Sequence, residues 1–247
     1  MVEGNELGIL VGMSKTSQIS LPRAILFDHD GTLVASEPLH WAAWGFLLKE
    51  LDIPYVEADL QKMVGMTAPE IMTALLNRYK PGLAAADYDI HKLAQRKNDH
   101  YLKHAELNLK TYPGVREGLK WCHSKGIKTA VVSNAKDREL KAALGWLGIL
   151  DEFDLIISRD EARAPKPDPS GYEMAAALLE CELYECLAVE DSPTGIEASL
   201  IAKIPSAAVL TNFKREAMEH PVPDRPDLKP VWIGDSIEQL FRDLQAI

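Results

Sequence analysis

The sequence predicts an α/β fold, a parallel β-sheet covered by helices on both faces and interrupted by one all-helical insertion. Three observations carry this. From residue 115 onward, short apolar runs alternate with helix-length amphipathic stretches, the pattern of parallel strands joined by crossover helices. One further apolar run, Ala24-Ile25-Leu26-Phe27, stands far upstream; a lone buried strand has no backbone partners, so it belongs to the same sheet. The residues from about 37 to 107 read as helix throughout and fall between the first strand and the rest.

The elements follow in order. Arg23 to Phe27 is apolar and is broken by Asp28-His29-Asp30-Gly31-Thr32, as at a buried parallel strand that ends in a polar loop. Trp41, Trp44, Leu47, Leu48 and Leu51 recur at three and four between Glu37 and Leu51, which is helical spacing. Thr67 with Glu70 three residues later meets the capping-box rule, and Pro81-Gly82 stops that helix after about Tyr79. Asp89 to about Glu106 makes a longer polar helix. Beyond Tyr112-Pro113-Gly114 come helix 115–125, strand 128–132, helix 137–145, strand 153–157, helix 170–180, strand 187–190, helix 194–203 and strand 207–210. Residues 214–230, with four prolines, read as an irregular connection before a last strand at Val231-Trp232-Ile233 and a helix from Ser236 to Leu244. Residues 1–20 read as a loosely held N-terminal arm.

A chain of 247 residues buries roughly three quarters of its extended surface, which excludes a small disulfide-stapled module. The formal charge of -10, from 37 acidic against 27 basic residues, disfavours broad nucleic-acid or anionic-membrane adhesion. Cys122, Cys181 and Cys186 form no CxxC and cannot all pair, so a reducing compartment is expected and a zinc cluster is not. The apolar stretch Leu7 to Met13 is too short and too acidic in its flank for a signal, and no run reaches the length of a membrane span. The expected location is cytoplasmic.

Four polar clusters fall at the ends of successive strands: Asp28 with Asp30, Ser133-Asn134, Lys166 beyond the strand at 153–157, and Glu190-Asp191. Parallel topology brings them to one rim, where ligands of open sheets bind, and the helical insertion then lies over that rim as a lid. Four converging carboxylates require a cation. An oxygen-only donor set without a His or Cys cluster suits magnesium, Mg2+. With Ser133 and Lys166 added, the set suits a phosphoryl group, whose charge needs a metal, a cation and hydrogen-bond donors. Asp28 is then placed as nucleophile, with Asp30 close enough to protonate the leaving oxygen and later deprotonate the attacking group. His29 points to the face opposite Asp28 and is expected to pack or donate from behind the site. Ile233-Gly234-Asp235-Ser236 imitates the acidic cluster one strand too late and reads as a peripheral strand end and helix cap.

Asp28-His29-Asp30-Gly31-Thr32-Leu33, Ser133-Asn134, Lys166-Pro167 and Glu190-Asp191-Ser192-Pro193-Thr194-Gly195 resemble, in order, the four motifs of the haloacid dehalogenase superfamily. The likeness runs from about 23 to 211. It implies a Rossmann-like parallel sheet core (21–36 and 108–247) with an inserted four-helix-type cap domain (37–107). It also implies magnesium held by Asp28, the Asp30 carbonyl and Asp191, with Glu190 as a further ligand or as a group orienting a metal-bound water, and phosphate contacts from Ser133, Asn134 and Lys166. Asp30, two residues beyond the nucleophile, points to the phosphotransferases rather than the dehalogenases. Within the superfamily the chain is similar to the beta-phosphoglucomutase-like branch and its sugar-phosphate phosphatases, which assigns substrate and cap roles to His40, Gly65, Lys97 and Lys136. The cap loop departs from the mutases in carrying Val64 and Ala68 where they have a lysine and a phosphate-clasping arginine.

The leading expectation is therefore a magnesium-dependent phosphatase of small phosphorylated metabolites such as sugar or polyol phosphates, working as a monomer or weak homodimer. A phosphosugar mutase is the alternative within the same chemistry. A non-catalytic binding protein on the same fold is the alternative outside it, and it has no need for both Asp28 and Asp30.

Overall fold

The computed structural model describes residues 21–63, 66–81 and 88–247. Six strands form one parallel sheet in the order β3-β2-β1-β4-β5-β6: β1 Ala24–Phe27, β2 Lys128–Val132, β3 Leu155–Ile157, β4 Cys186–Glu190, β5 Ser206–Val209 and β6 Trp232–Gly234. The upstream strand is the centre of the sheet. Ala24 pairs with both Lys128 and Cys186, and Phe27 with both Val131 and Val189.

Side chains alternate across β1, which explains its unbroken apolar run. Ile25 and Phe27 pack on one face against Leu119, Leu140 and Phe241, from helices α5 (Val115–Lys125), α6 (Asp137–Trp146) and α10 (Ile237–Gln245). Ala24 and Leu26 pack on the other against Tyr172 and Ala198, from α7 (Ser170–Leu178) and α8 (Pro193–Ile201). A strand covered on both sides has no polar face to show. Burying a side chain such as Phe27 completely contributes about 2 kcal/mol or more.

Between β1 and α5 lie α1 (Glu37–Glu50), α2 (Glu57–Gln61), α3 (Ala68–Tyr79) and α4 (Ile90–Asn108). They share a separate apolar centre in which Trp44, Leu47 and Leu48 of α1 meet Leu75 and Leu76 of α3 and Leu93 of α4. The start of α3 is as expected: the Thr67 backbone N–H and hydroxyl both donate to Glu70 at 2.7 Å. Asp89 caps α4 by accepting from the Lys92 N–H at 3.0 Å.

Two short helices are not singled out by the sequence. The stretch 214–230, which reads as irregular, contains α9 (Arg215–Glu219), and α2 lies inside the 37–107 segment, which reads as all helical. Each has five residues, too few for a 3.6-residue period to register, and α9 buries only Met218. The Ile233-Gly234-Asp235-Ser236 segment runs off the end of the edge strand β6, and Ser236 caps α10 by accepting from the Gln239 N–H. The N-terminal arm, Val64 and Gly65 fall outside the described residues. Among those described, no helix is long and apolar enough to cross a membrane.

Candidate active site

The four clusters meet at the carboxyl edge of the sheet. Asp28 follows β1, Ser133 and Asn134 follow β2, Lys166 lies in the loop between β3 and α7, Glu190 ends β4 and Asp191 follows it. Lys166 is the hub. Its ammonium donates to Asp28 Oδ1 at 2.6 Å, Glu190 Oε1 at 2.6 Å and the Val132 carbonyl at 2.7 Å, so its three N–H bonds are all used. Its backbone N–H donates to Asn134 Oδ1 at 2.9 Å, which fixes the loop that carries it. Burial works against the ammonium charge, but Asp28 and Glu190 outweigh it and raise the lysine above its ordinary value.

Asp28, Glu190 and Asp191 each offer a carboxylate oxygen, all within 4.8 Å of one another, and all three residues are buried. Burial and the Glu190 charge push Asp28 up to about 7 against the pull of Lys166. Burial and the Asp28 and Glu190 charges raise Asp191 well above the carboxylate range. One ammonium does not balance this cluster. An all-oxygen donor set under that repulsion fits a hard divalent cation such as magnesium. Glu190 is also drawn the other way: its Oε1 accepts from Tyr172 Oη at 2.6 Å as well as from Lys166, so orienting the lysine is the visible work of that oxygen.

Gly31 makes the close approach possible. It sits at φ +81°, and a Cβ there would overlap Asp191 Oδ2 and Asn212 Nδ2. Asp30 turns away from the acidic trio. Its Oδ1 accepts from the Ser36 hydroxyl, with His29 Nδ1 at 3.1 Å and His40 Nε2 at 3.6 Å. Burial opposes ionisation of Asp30, yet the His29 charge and the contacts from both histidines hold it well below the usual carboxylate range. His29 is buried and faces Asp30, behind the site as expected.

One cleft of about 770 Å3 is lined by Asp28, Asp30, Ser133 and Lys166 from the sheet edge and by Trp41 and Lys97 from α1 and α4. Lys97, 4% exposed, donates to His40 Nδ1 at 2.6 Å and to Asn98 Oδ1 at 3.3 Å. Burial and the Lys97 charge lower His40 to about 4. A neutral His40 that accepts at Nδ1 keeps its proton on Nε2, facing Asp30. The ring stacks on Tyr101 with centroids 3.9 Å apart. Lys136 lies exposed at the rim, Ala68 lines the cleft without a charge, and Gly65 is outside the described residues.

A family profile for haloacid dehalogenase-like hydrolases matches residues 25–209. The chain belongs to this family. A phosphorylated carbohydrates phosphatase of Thermotoga maritima is 31% identical over 183 residues, 73% of this chain and 82% of its own. A beta-phosphoglucomutase of Bacillus subtilis is 27% identical over 178 residues, 71% of this chain and 78% of its own. The crystal structure of a hydrolase from Pseudomonas syringae shares the fold, with a TM-score of 0.77 at 21% identity over 91% of this chain and 98% of that one.

Three residues of this haloacid dehalogenase-like hydrolase escaped the sequence reading. Tyr172 lies on the apolar face of α7 and gives no polar signal. Glu37 opens α1 like any first-turn acid. Asn212 follows β5 at the same edge of the sheet as the four clusters; the strand-end rule pointed there, but a lone asparagine in a loop is too common to single out.

Proposed function

We propose that this hydrolase is a magnesium-dependent phosphatase of small phosphorylated metabolites, sugar or polyol phosphates, acting through an aspartyl phosphate on Asp28. The carrying observation is Lys166, buried between Asp28 and Glu190 at 2.6 Å from each, on the floor of a cleft into which Asp30 also faces. That is a carboxylate nucleophile beside a fixed cation, with a second carboxyl group two residues away.

The division of labour follows. An Asp28 carboxylate oxygen attacks phosphorus, and the bond from phosphorus to the ester oxygen breaks. Asp30, an ionised carboxylate until it takes up the proton of the incoming phosphate monoanion, passes that proton to the leaving oxygen. Water then attacks the aspartyl phosphate, Asp30 takes the proton back, and the Asp28 carboxylate leaves as inorganic phosphate departs. Lys166 holds a positive charge against the phosphoryl oxygens. The Ser133 hydroxyl, buried and accepting from the Ala135 N–H at 3.1 Å, keeps its own proton to donate to them. Asp28, Asp191 and the Asp30 carbonyl, with Glu190 beside them, would hold the magnesium, which would supply charge neutralisation when bound. Residues 37–107 serve as the cap, and His40 and Lys97 carry its side of substrate recognition.

The relative named a beta-phosphoglucomutase supports a second reading, in which a sugar hydroxyl replaces water as the acceptor. Ala68 weighs against it, since the lining residues 66–71 include no lysine or arginine to hold a second phosphate. The test is a panel of phosphorylated metabolites with magnesium, following released phosphate and isomerised product in the same sample. Phosphate release that chelation abolishes and magnesium restores is expected. Isomerisation of beta-glucose 1-phosphate at about ten times the rate of release would replace the phosphatase by the mutase.

A further inference from the structure

We propose that Asn212 and Glu37 form a positioning bridge that fixes Asp191 for divalent-cation binding from the first turn of the cap. The inference rests on the metal-dependent reading above and adds two residues to it. Asn212 Nδ2 donates to Asp191 Oδ2 at 2.6 Å and to Glu37 Oε1 at 2.9 Å. Asn212 belongs to the loop between β5 and α9, whereas Glu37 is the first residue of α1. One amide group therefore joins the cap to a member of the acidic trio.

The chemistry allows one arrangement. An amide caught between two carboxylates presents its two N–H bonds, one to each, because a flip would set its oxygen against an acceptor. Glu37 thereby holds the orientation in which Asn212 reaches Asp191. Asp191 needs such a hold, since Asp28 and Glu190 repel it and a free carboxylate would rotate away. The backbone of Gly31 closes a further side, where a Cβ would overlap both Asp191 Oδ2 and Asn212 Nδ2. Glu37 is itself expensive to keep: it is 6% exposed, and its Oε2 is buried without a partner among the described residues. A helix-capping acid at a solvated first turn would incur no such cost.

Groups that orient a metal ligand typically change metal affinity by about 10- to 100-fold when removed. The experiment is calorimetric titration of the substrate-free protein with magnesium, with thermal melts of every variant. Asn212→Ala is expected to weaken binding about tenfold or more. Glu37→Ala is expected to weaken it less, by about threefold or more, and the double variant to match Asn212→Ala alone, because Glu37 acts through Asn212. Glu37→Gln keeps an acceptor oxygen and should stay within about twofold of wild type.

Wild-type affinity in Asn212→Ala, multiplying losses in the double variant, or an equal loss in Glu37→Gln and Glu37→Ala would each overturn the bridge. Should Asn212→Ala not fold, the comparison of the two Glu37 variants decides alone. A wild-type protein that binds no magnesium would overturn the metal reading, and the bridge with it. One that binds while Asn212→Ala binds equally well overturns the bridge only.

Discussion

Asn98 Nδ2 donates to Glu139 Oε1 across 2.9 Å, a hydrogen bond from α4 to α6 beside the cleft. The neighbouring Lys97 reaches His40, whose Nε2 faces Asp30, so two adjacent residues of α4 connect to α6 and, through His40, to Asp30. The contact to α6 and the contact to His40 thus come from the same turn of helix.

The Asn98–Glu139 bond gives the first prediction. Loss of one such hydrogen bond costs about 1 kcal/mol, about fivefold in an equilibrium. Glu139→Ala should raise KM by about that factor while kcat changes less, and Glu139→Gln, which keeps the acceptor, should stay near wild type. Steady-state kinetics on one substrate checks this; identical KM values for all three proteins would show that the bond does not hold the cap.

Lys97 gives a prediction in pH. Burial lowers it from 10.5 to about 8 in the folded protein. The unfolded chain keeps the proton up to 10.5, so between these values it binds more protons than the native state, and stability rises with pH. Lys97→Met removes the buried cation. The stability gap between variant and wild type should favour the variant most below pH 8 and shift toward wild type as pH approaches 10.5, by at most about 3 kcal/mol. Urea denaturation of both proteins across this range is the measurement, and a gap independent of pH would contradict it.

Asp30 should be tested through its leaving groups. Asp30→Asn cannot protonate a departing alkoxide, so turnover of an alkyl phosphate should fall by about 100-fold or more. With p-nitrophenyl phosphate, whose phenolate leaves without a proton, the loss should be smaller. Equal losses on both substrates would remove the acid role from Asp30.

The sheet was legible because its central strands are buried on both faces, so Ala24 to Phe27 and Cys186 to Val189 stand out as apolar runs. The clustering of Asp28, Ser133, Lys166 and Asp191 was legible for a related reason: parallel topology sends every strand end to one rim. What stayed hidden depends on tertiary neighbours. Tyr172 looks like core until Glu190 is seen against its hydroxyl. Glu37 looks like a solvated first-turn acid until Asn212 covers it. The link from Lys97 to His40 spans 57 residues of a segment whose periodicity fixes the helices but not how they face each other.

The most direct test of the central claim is phosphate release by Asp28→Asn at saturating substrate and magnesium, on a sample whose melting profile matches wild type. An amide oxygen does not form the acyl phosphate, and release should fall by about a thousandfold or more. Release within about tenfold of wild type would contradict the account, because turnover would then proceed without a carboxylate at the end of β1.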